Sequence, residues 1–349
     1  MEVVMKNKFK KLILVILSLS LVLSLAACSG GSEEGDLPEE INFGILRVPN
    51  DETIALAEGM FQEYFESKGI KVNTTVFDSG VEANQAIASG GIDFATMGNV
   101  NAVVALAREL DAEMIWIHEV LGEIEGLAVK NGSGIESVQD LAGKKIATPF
   151  ASTCHYVLLN LLEEEGLQDE VQLLDMKTTE IVAAWERGDI DAAYTWQPSL
   201  GEILKTGKVL ISSAEMAEKG YITANVDIVR KGFSSQYPDL VVDFIQMLSE
   251  AGDIYRNDPD KAAEIVSEEL EIPKEEALKQ MQGSLWVTAE DLLGDAYFGT
   301  SENPGKFAEI MKDTGDFLVE QNSIDTSPSQ EKFNEFVNPK YIEMYLERD

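Results

Sequence analysis

Three short stretches of this sequence carry the residue types that hold a small anion: Asp78-Ser79-Gly80, Gly98-Asn99 and Pro149-Phe150-Ala151-Ser152-Thr153. Each reads as a helix start, where the first backbone N–H groups lack partners and the dipole end is positive. Ser79, Gly80, Asn99, Ser152 and Thr153 would gather amides and side-chain donors around one anionic group. Taken singly, each is better explained as helix capping. Three together make a nest. The opposite pole comes from Glu125, Asn225 and Asp227, because a carboxylate shut into a cleft without a cation is costly and would take a ligand cation. Asn225 and Asp227, two apart on an expected strand, share a face. Trp196 offers an aromatic face to a methylene chain or an ammonium group. The plainer alternatives are a lobe-edge surface residue for Glu125 and core or hinge packing for Trp196.

Other chemistries find less support. Cys154 and His155 are adjacent at a helix start and diverge by about 100°, which does not make a nucleophile and base. A buried cysteine beside a loop-ordering histidine is the simpler reading. His118 and His155 are the only histidines, so no Cys/His cluster suits zinc, and no glycine-rich phosphate loop is present. No catalytic residue, cofactor or metal is expected. With 62 acidic and 27 basic residues, the net charge of −35 argues against nucleic acid or anionic lipid as partners. The charge itself reads as a solvated surface, so ligand sign must be judged locally.

What positions these residues is a repeated unit. Ser89-Gly90-Gly91-Ile92-Asp93-Phe94-Ala95 and Arg187-Gly188-Asp189-Ile190-Asp191-Ala192-Ala193 each read as a helix closed by glycine and followed by a buried strand, the αβ half of a βαβ unit. Two copies imply two similar lobes. The residues after each Ile-Asp strand, Gly98-Asn99 and Trp196-Gln197-Pro198, should then face a shared cleft. Strands are expected at 41–48, 71–77 and 94–97, then at 145–148, 171–174 and 190–194, with helices between them. Ser79 with Glu82 reads as a capping box. Residues 224–230 form the return crossing, and the chain beyond Phe233 is almost wholly helical, with starts near Pro238, Pro259 and Ala289. The expected fold is α/β and two-lobed: lobe I from 41–125 and 230–349, lobe II from 126–229, each a mainly parallel sheet flanked by helices, with a two-strand hinge that closes on a ligand.

The N-terminus addresses the protein. Lysines precede an apolar run from Leu12 to Leu25, too short for the roughly 20 residues of a membrane span, and Leu25-Ala26-Ala27-Cys28 follows. Residues 1–27 read as a signal peptide, with Met5 an alternative start. Residues 28–40 form a flexible tether. The cleavage site resembles the lipobox of bacterial lipoproteins, which implies lipidation of Cys28 and a domain anchored on the extracytoplasmic face of the membrane. Cys154 is then left without a disulfide partner.

Longer motifs carry a second resemblance. Thr148 to Tyr156, Ile181 to Asp191 and Tyr194 to Pro198, with Phe77-Asp78-Ser79-Gly80, Ala88-Ser89-Gly90 and Gly122-Glu123-Ile124-Glu125, resemble the taurine-binding proteins of taurine ABC importers over most of residues 41–235. The resemblance implies a type II periplasmic-binding fold, a monomer that passes taurine to a membrane permease driven by an ATPase. It also implies a sulfonate held by helix-start donors and an ammonium held by acids, with Glu125 on one acidic position. The second acidic position matches Asn225, and Asp227 could take over that contact. Arg47 is not a family feature and could pair with a carboxylate or sulfonate. Other ligands of related proteins are further aliphatic sulfonates, nitrate or bicarbonate, and a pyrimidine precursor of thiamine.

Overall fold

The computed structural model describes residues 37–348. The signal peptide, Cys28 and the tether up to residue 36 lie outside the described residues. Among the described residues no helix is long and apolar enough to cross a membrane.

Eleven strands are described: β1 (Glu40–Leu46), β2 (Lys71–Phe77), β3 (Phe94–Gly98), β4 (Ala112–Leu121), β5 (Glu125–Lys130), β6 (Lys145–Thr148), β7 (Gln172–Asp175), β8 (Ala192–Trp196), β9 (Gly207–Ser212), β10 (Ala224–Arg230) and β11 (Ser284–Trp286). They form two sheets, ordered β11-β4-β10-β3-β1-β2 and β7-β6-β8-β5-β9. The two share one plan. In the first, β2, β1 and β3 are parallel and β10 adds antiparallel to β3; in the second, β7, β6 and β8 are parallel and β5 adds antiparallel to β8. The sheets are therefore mixed rather than mainly parallel, because each receives an antiparallel strand from the chain that has just crossed from the other.

The repeated Ile-Asp pair has the same task in both halves. Asp93 Oδ2 accepts the backbone N–H of Asn42 at 2.9 Å, and Asp191 Oδ2 accepts that of Lys145 at 2.8 Å. Each aspartate thus pins the start of the neighbouring parallel strand where the ladder begins. The isoleucines before them, Ile92 and Ile190, are buried in the core.

Apolar surface covers both sheets. The first sheet is packed by rings: Phe43 lies 4.9 Å from Phe61 and 5.0 Å from Phe94, and Phe94 lies 4.7 Å from Phe244 on the long helix Pro238–Asn257. In the second sheet Ala128, Ala147 and Ala193 receive Ile181, Trp185 and Ile203 from the helices Thr178–Arg187 and Ser199–Leu204. Small residues on the strands leave room for large ones on the helices.

Residues 224–230, read from the sequence as the crossing, are instead β10, paired on both sides inside the first sheet. The chain passes between sheets at 122–124 and at 213–223. A third segment abuts the first passage, where Ile124 N–H donates to Gly283 O at 3.2 Å. Strands β4, β9 and β11 have no counterpart among the strands expected from the sequence. β4 is buried along nearly its whole length although Glu113, His118 and Glu119 interrupt its apolar residues, and β11 is three residues long.

Candidate ligand-binding site

The C-terminal ends of β1, β3 and β8 meet at a gap of about 360 Å³, part of it continuous with solvent. Gly80, Glu125, Ser152, Thr153, Trp196 and Asn225 line it, as do Gly98, Asn101, Leu46, Val48, Leu121 and Ile124. The first sheet and its helices supply one side, the second the other.

Three helix N-termini open here: Gly80–Ala88, Asn99–Ala107 and Thr153–Glu164. Two glycines let them approach. A Cβ on Gly98 would lie 2.7 Å from Thr153 Cγ2 on the facing side, and one on Gly80 would lie 2.5 Å from Asn101 Oδ1. Asn101 joins the halves, donating from Nδ2 to Ala151 O at 2.7 Å. Nearer the surface, Lys177 Nζ reaches Glu82 Oε1 at 2.5 Å. Glu82 therefore does not close a capping box; Ser79 Oγ accepts the Glu82 N–H at 3.4 Å and the carboxylate goes to the lysine.

Glu125, the first residue of β5, is 1% exposed. Oε1 accepts from the Thr153 hydroxyl and from Cys154 Sγ at 3.4 Å; Oε2 accepts from Ser213 Oγ at 2.8 Å and Thr223 Oγ1 at 3.4 Å. Every one of these donors is neutral. Burial raises the carboxyl above its ordinary value, and the hydroxyls and thiol oppose that rise. The result is an acidic pole solvated by hydroxyls at the edge of the gap.

Several donors expected from the sequence are engaged elsewhere. Ser152 Oγ accepts the His155 N–H and donates to Pro149 O at 2.5 Å, while the Thr153 hydroxyl serves Glu125. What these residues offer the gap is the open end of their helix. Ser79 lies in an adjoining depression with Asp78, Lys177 and Trp196. Asn99 is fully buried and accepts the Ala224 N–H at 3.2 Å, leaving Asn101, further along the same helix, to line the gap. No capping signal marked Asn101, because its side chain points across the cleft. Arg47 pairs on the surface with Asp78 at 3.2 Å.

Asp227 does not line the gap. It is fully buried, with Oδ2 3.3 Å from His118 Nε2. Asn225 lies at the gap itself, donating from Nδ2 to Glu119 Oε1 at 2.6 Å, which leaves its Oδ1 as the free acceptor. Asp227 lies deeper than Asn225 on the same strand face, because one more pair of residues along β10 carries its side chain beneath the floor. The neighbouring β4 is bulged, since Asn225 pairs with Glu119 and Val226 with Ile117, so that His118 is the extra residue and turns inward. Glu119 is fully buried and is pushed up to about 8 by that burial.

Cys154 is buried, and its thiol is held well above the ordinary value by burial and by the Glu125 charge, the opposite of a reactive thiolate. His155 stacks on Phe150 at 4.3 Å and accepts the Ala151 N–H at Nδ1, 3.2 Å away. Burial depresses its pKa to about 4. A histidine depressed in the folded state stays neutral there while the unfolded chain takes a proton, so stability should rise with pH between about 4 and the unfolded value near 6.5. Between pH 7 and 5 the wild type should lose about 2 kcal/mol relative to His155→Gln, measured as the difference of two urea-denaturation series. A flat difference would mean that His155 is not held neutral.

Among the described residues one group could hold a metal, Glu52 with His118 and Asp227, below the floor of the gap.

Comparison with known proteins fits this geometry. The chain is 30% identical to the taurine-binding periplasmic protein of Escherichia coli K12 over 83% of its own length and 88% of that relative. In fold it is similar to the periplasmic aliphatic sulphonate binding protein SsuA of Escherichia coli, with a TM-score of 0.68 at 18% identity over 85% of this chain and 92% of that one. The desulfurization enzyme DSZB shares the fold at a TM-score of 0.60 and 17% identity, over 89% of this chain and 99% of that one. A family profile described as NMT1/THI5 like matches residues 55–262. On the profile and the full-length relative together, the chain belongs to the NMT1/THI5-like family.

Proposed function

We propose that this protein is the solute-binding component of an ABC importer and captures taurine or a similar small amino-sulfonate between two lobes. Lobe I would be built on the first sheet and the C-terminal helices, lobe II on the second sheet, hinged at 122–124 and 213–223. The observation that carries the reading is Glu125: a buried carboxylate with only neutral donors, set against a gap into which three helix N-termini open. An inorganic anion has no use for that carboxylate. A zwitterion uses both poles, its sulfonate at the helix ends and its ammonium between Glu125 and Asn225 Oδ1, with Trp196 beside the methylenes. The names of the relatives support the substrate class, and Cys28 would be the lipid anchor that keeps the domain beside its permease and ATPase.

A second reading, another aliphatic sulfonate, is favoured by one observation: the gap has an amide at 225 and so a single carboxylate at its wall. A thermal-shift panel of taurine, alkylsulfonates, nitrate, bicarbonate and thiamine pyrimidine precursors separates them. Taurine should give the largest rise in Tm, because a ligand that binds only the native state stabilises it by mass action. A rise with nitrate or bicarbonate and none with any sulfonate would refute both readings.

A further inference from the structure

Below the floor of the gap, and independent of what binds above it, four carboxylates crowd one imidazole. Asp51, Glu52, Glu119, Asp227 and His118 are all at most 3% exposed. Among the described residues none of the four has a lysine or arginine partner; the ion pairs they make are those of Asp51 and Asp227 with His118. Carboxyls buried in this way either keep their protons, as burial makes Glu119 do, or take a counter-charge.

The arrangement around His118 is directional. Its Nδ1 is 2.6 Å from Asp51 Oδ1, and the other oxygen of Asp51 accepts the Trp116 indole N–H at 3.0 Å. A carboxylate that takes the Nδ1 proton fixes the tautomer and orientation with which a histidine binds metal through Nε2. That Nε2 faces Glu52 and Asp227, and the three ligand atoms lie within 4.8 Å of one another. Asp227 supplies an independent sign: it is fully buried, neither of its oxygens has a well-aligned hydrogen bond, and Oδ2 stands 3.3 Å from Nε2. Two ligand atoms of one cation stand side by side in this way without bonding each other. Glu52 is steadied from the side by the Thr96 hydroxyl, which is itself 3.5 Å from Nε2.

We propose that Glu52, His118 and Asp227 form a buried three-ligand site for a divalent transition-metal cation, with zinc as its probe. One imidazole nitrogen and two carboxylate oxygens are ligands zinc accepts at about 2.0–2.2 Å, and two positive charges offset the two carboxylates that bind it. The ligands come from the helix Asp51–Ala57, from the bulge of β4 and from β10, so the cation ties together the floor on which Asn225 and Val48 stand. This revises the expectation from cysteine and histidine counting: the ligands are too far apart in sequence for spacing to show them.

The test uses purified protein dialysed against EDTA and then given zinc chloride alone. One zinc per chain should survive gel filtration, and Tm should rise by about 5–10 °C at zinc a thousandfold above its Kd. His118→Gln and Asp227→Asn should abolish both effects. Equal zinc retention by Asp227→Asn would assign the metal to surface carboxylates and overturn the site. No retained zinc and no change in Tm in the wild type would overturn it as well, leaving protons to balance the cluster. If those variants do not fold, Glu52→Gln decides: loss of the retained zinc supports the site, and unchanged retention overturns it.

Discussion

Glu125→Gln is expected to weaken taurine binding by about 1.5–3 kcal/mol, roughly ten- to hundredfold in Kd, the usual size of a hydrogen bond to a charged group. The substitution keeps volume and one carbonyl acceptor while removing the charge. Four neutral donors converge on this carboxylate, and nothing among them needs it ionised; the partner that would is the ammonium of the proposed ligand. Calorimetry reads the change directly. A matching loss for a ligand without an amine, such as an alkylsulfonate, would show that the new amide had disturbed the Thr153 and Ser213 network instead. Unchanged taurine affinity would remove the amine contact.

Gly98→Val is expected to cost about 3 kcal/mol of ligand affinity, the upper end of ordinary overpacking, with little effect on the Tm of the unliganded protein. The backbone at Gly98 is ordinary, φ −65° and ψ 147°, and any residue can adopt it. Space alone forbids a side chain, because its Cβ would sit 2.7 Å from Thr153 Cγ2. Those two residues stand on opposite sides of the gap. A hinged protein can relieve the clash by staying open, so the cost falls on the liganded state and the apparent affinity drops accordingly. Equal loss of Tm and affinity would mean that the two halves form one rigid body.

Local chemistry was legible in the sequence wherever it depends on neighbours in the chain. The helix starts at 80, 99 and 153 stand where the Ser and Gly signals place them, since capping needs only a side chain and the next few amides. The paired Ile-Asp strands gave the two-sheet plan, and Asp93 and Asp191 make equivalent bonds. Harder to read was which side chain of a correctly placed segment reaches the gap. Asn101 lines it where Asn99 was expected, because Asn99 turns in to hold Ala224. Ser152 and Thr153 contribute their helix end rather than their hydroxyls, which are taken by Pro149 and Glu125.

By itself the sequence determined the two-lobed α/β plan and the helix starts that open at the gap, because glycine stops, caps and buried strands are written in short stretches. Only the tertiary structure decided the depth of Asp227, the amide at the gap wall and the grouping of Glu52, His118 and Asp227. The reason is the bulge in β4: one extra residue reverses which way His118 points, and the alternation on which strand reading depends cannot register it.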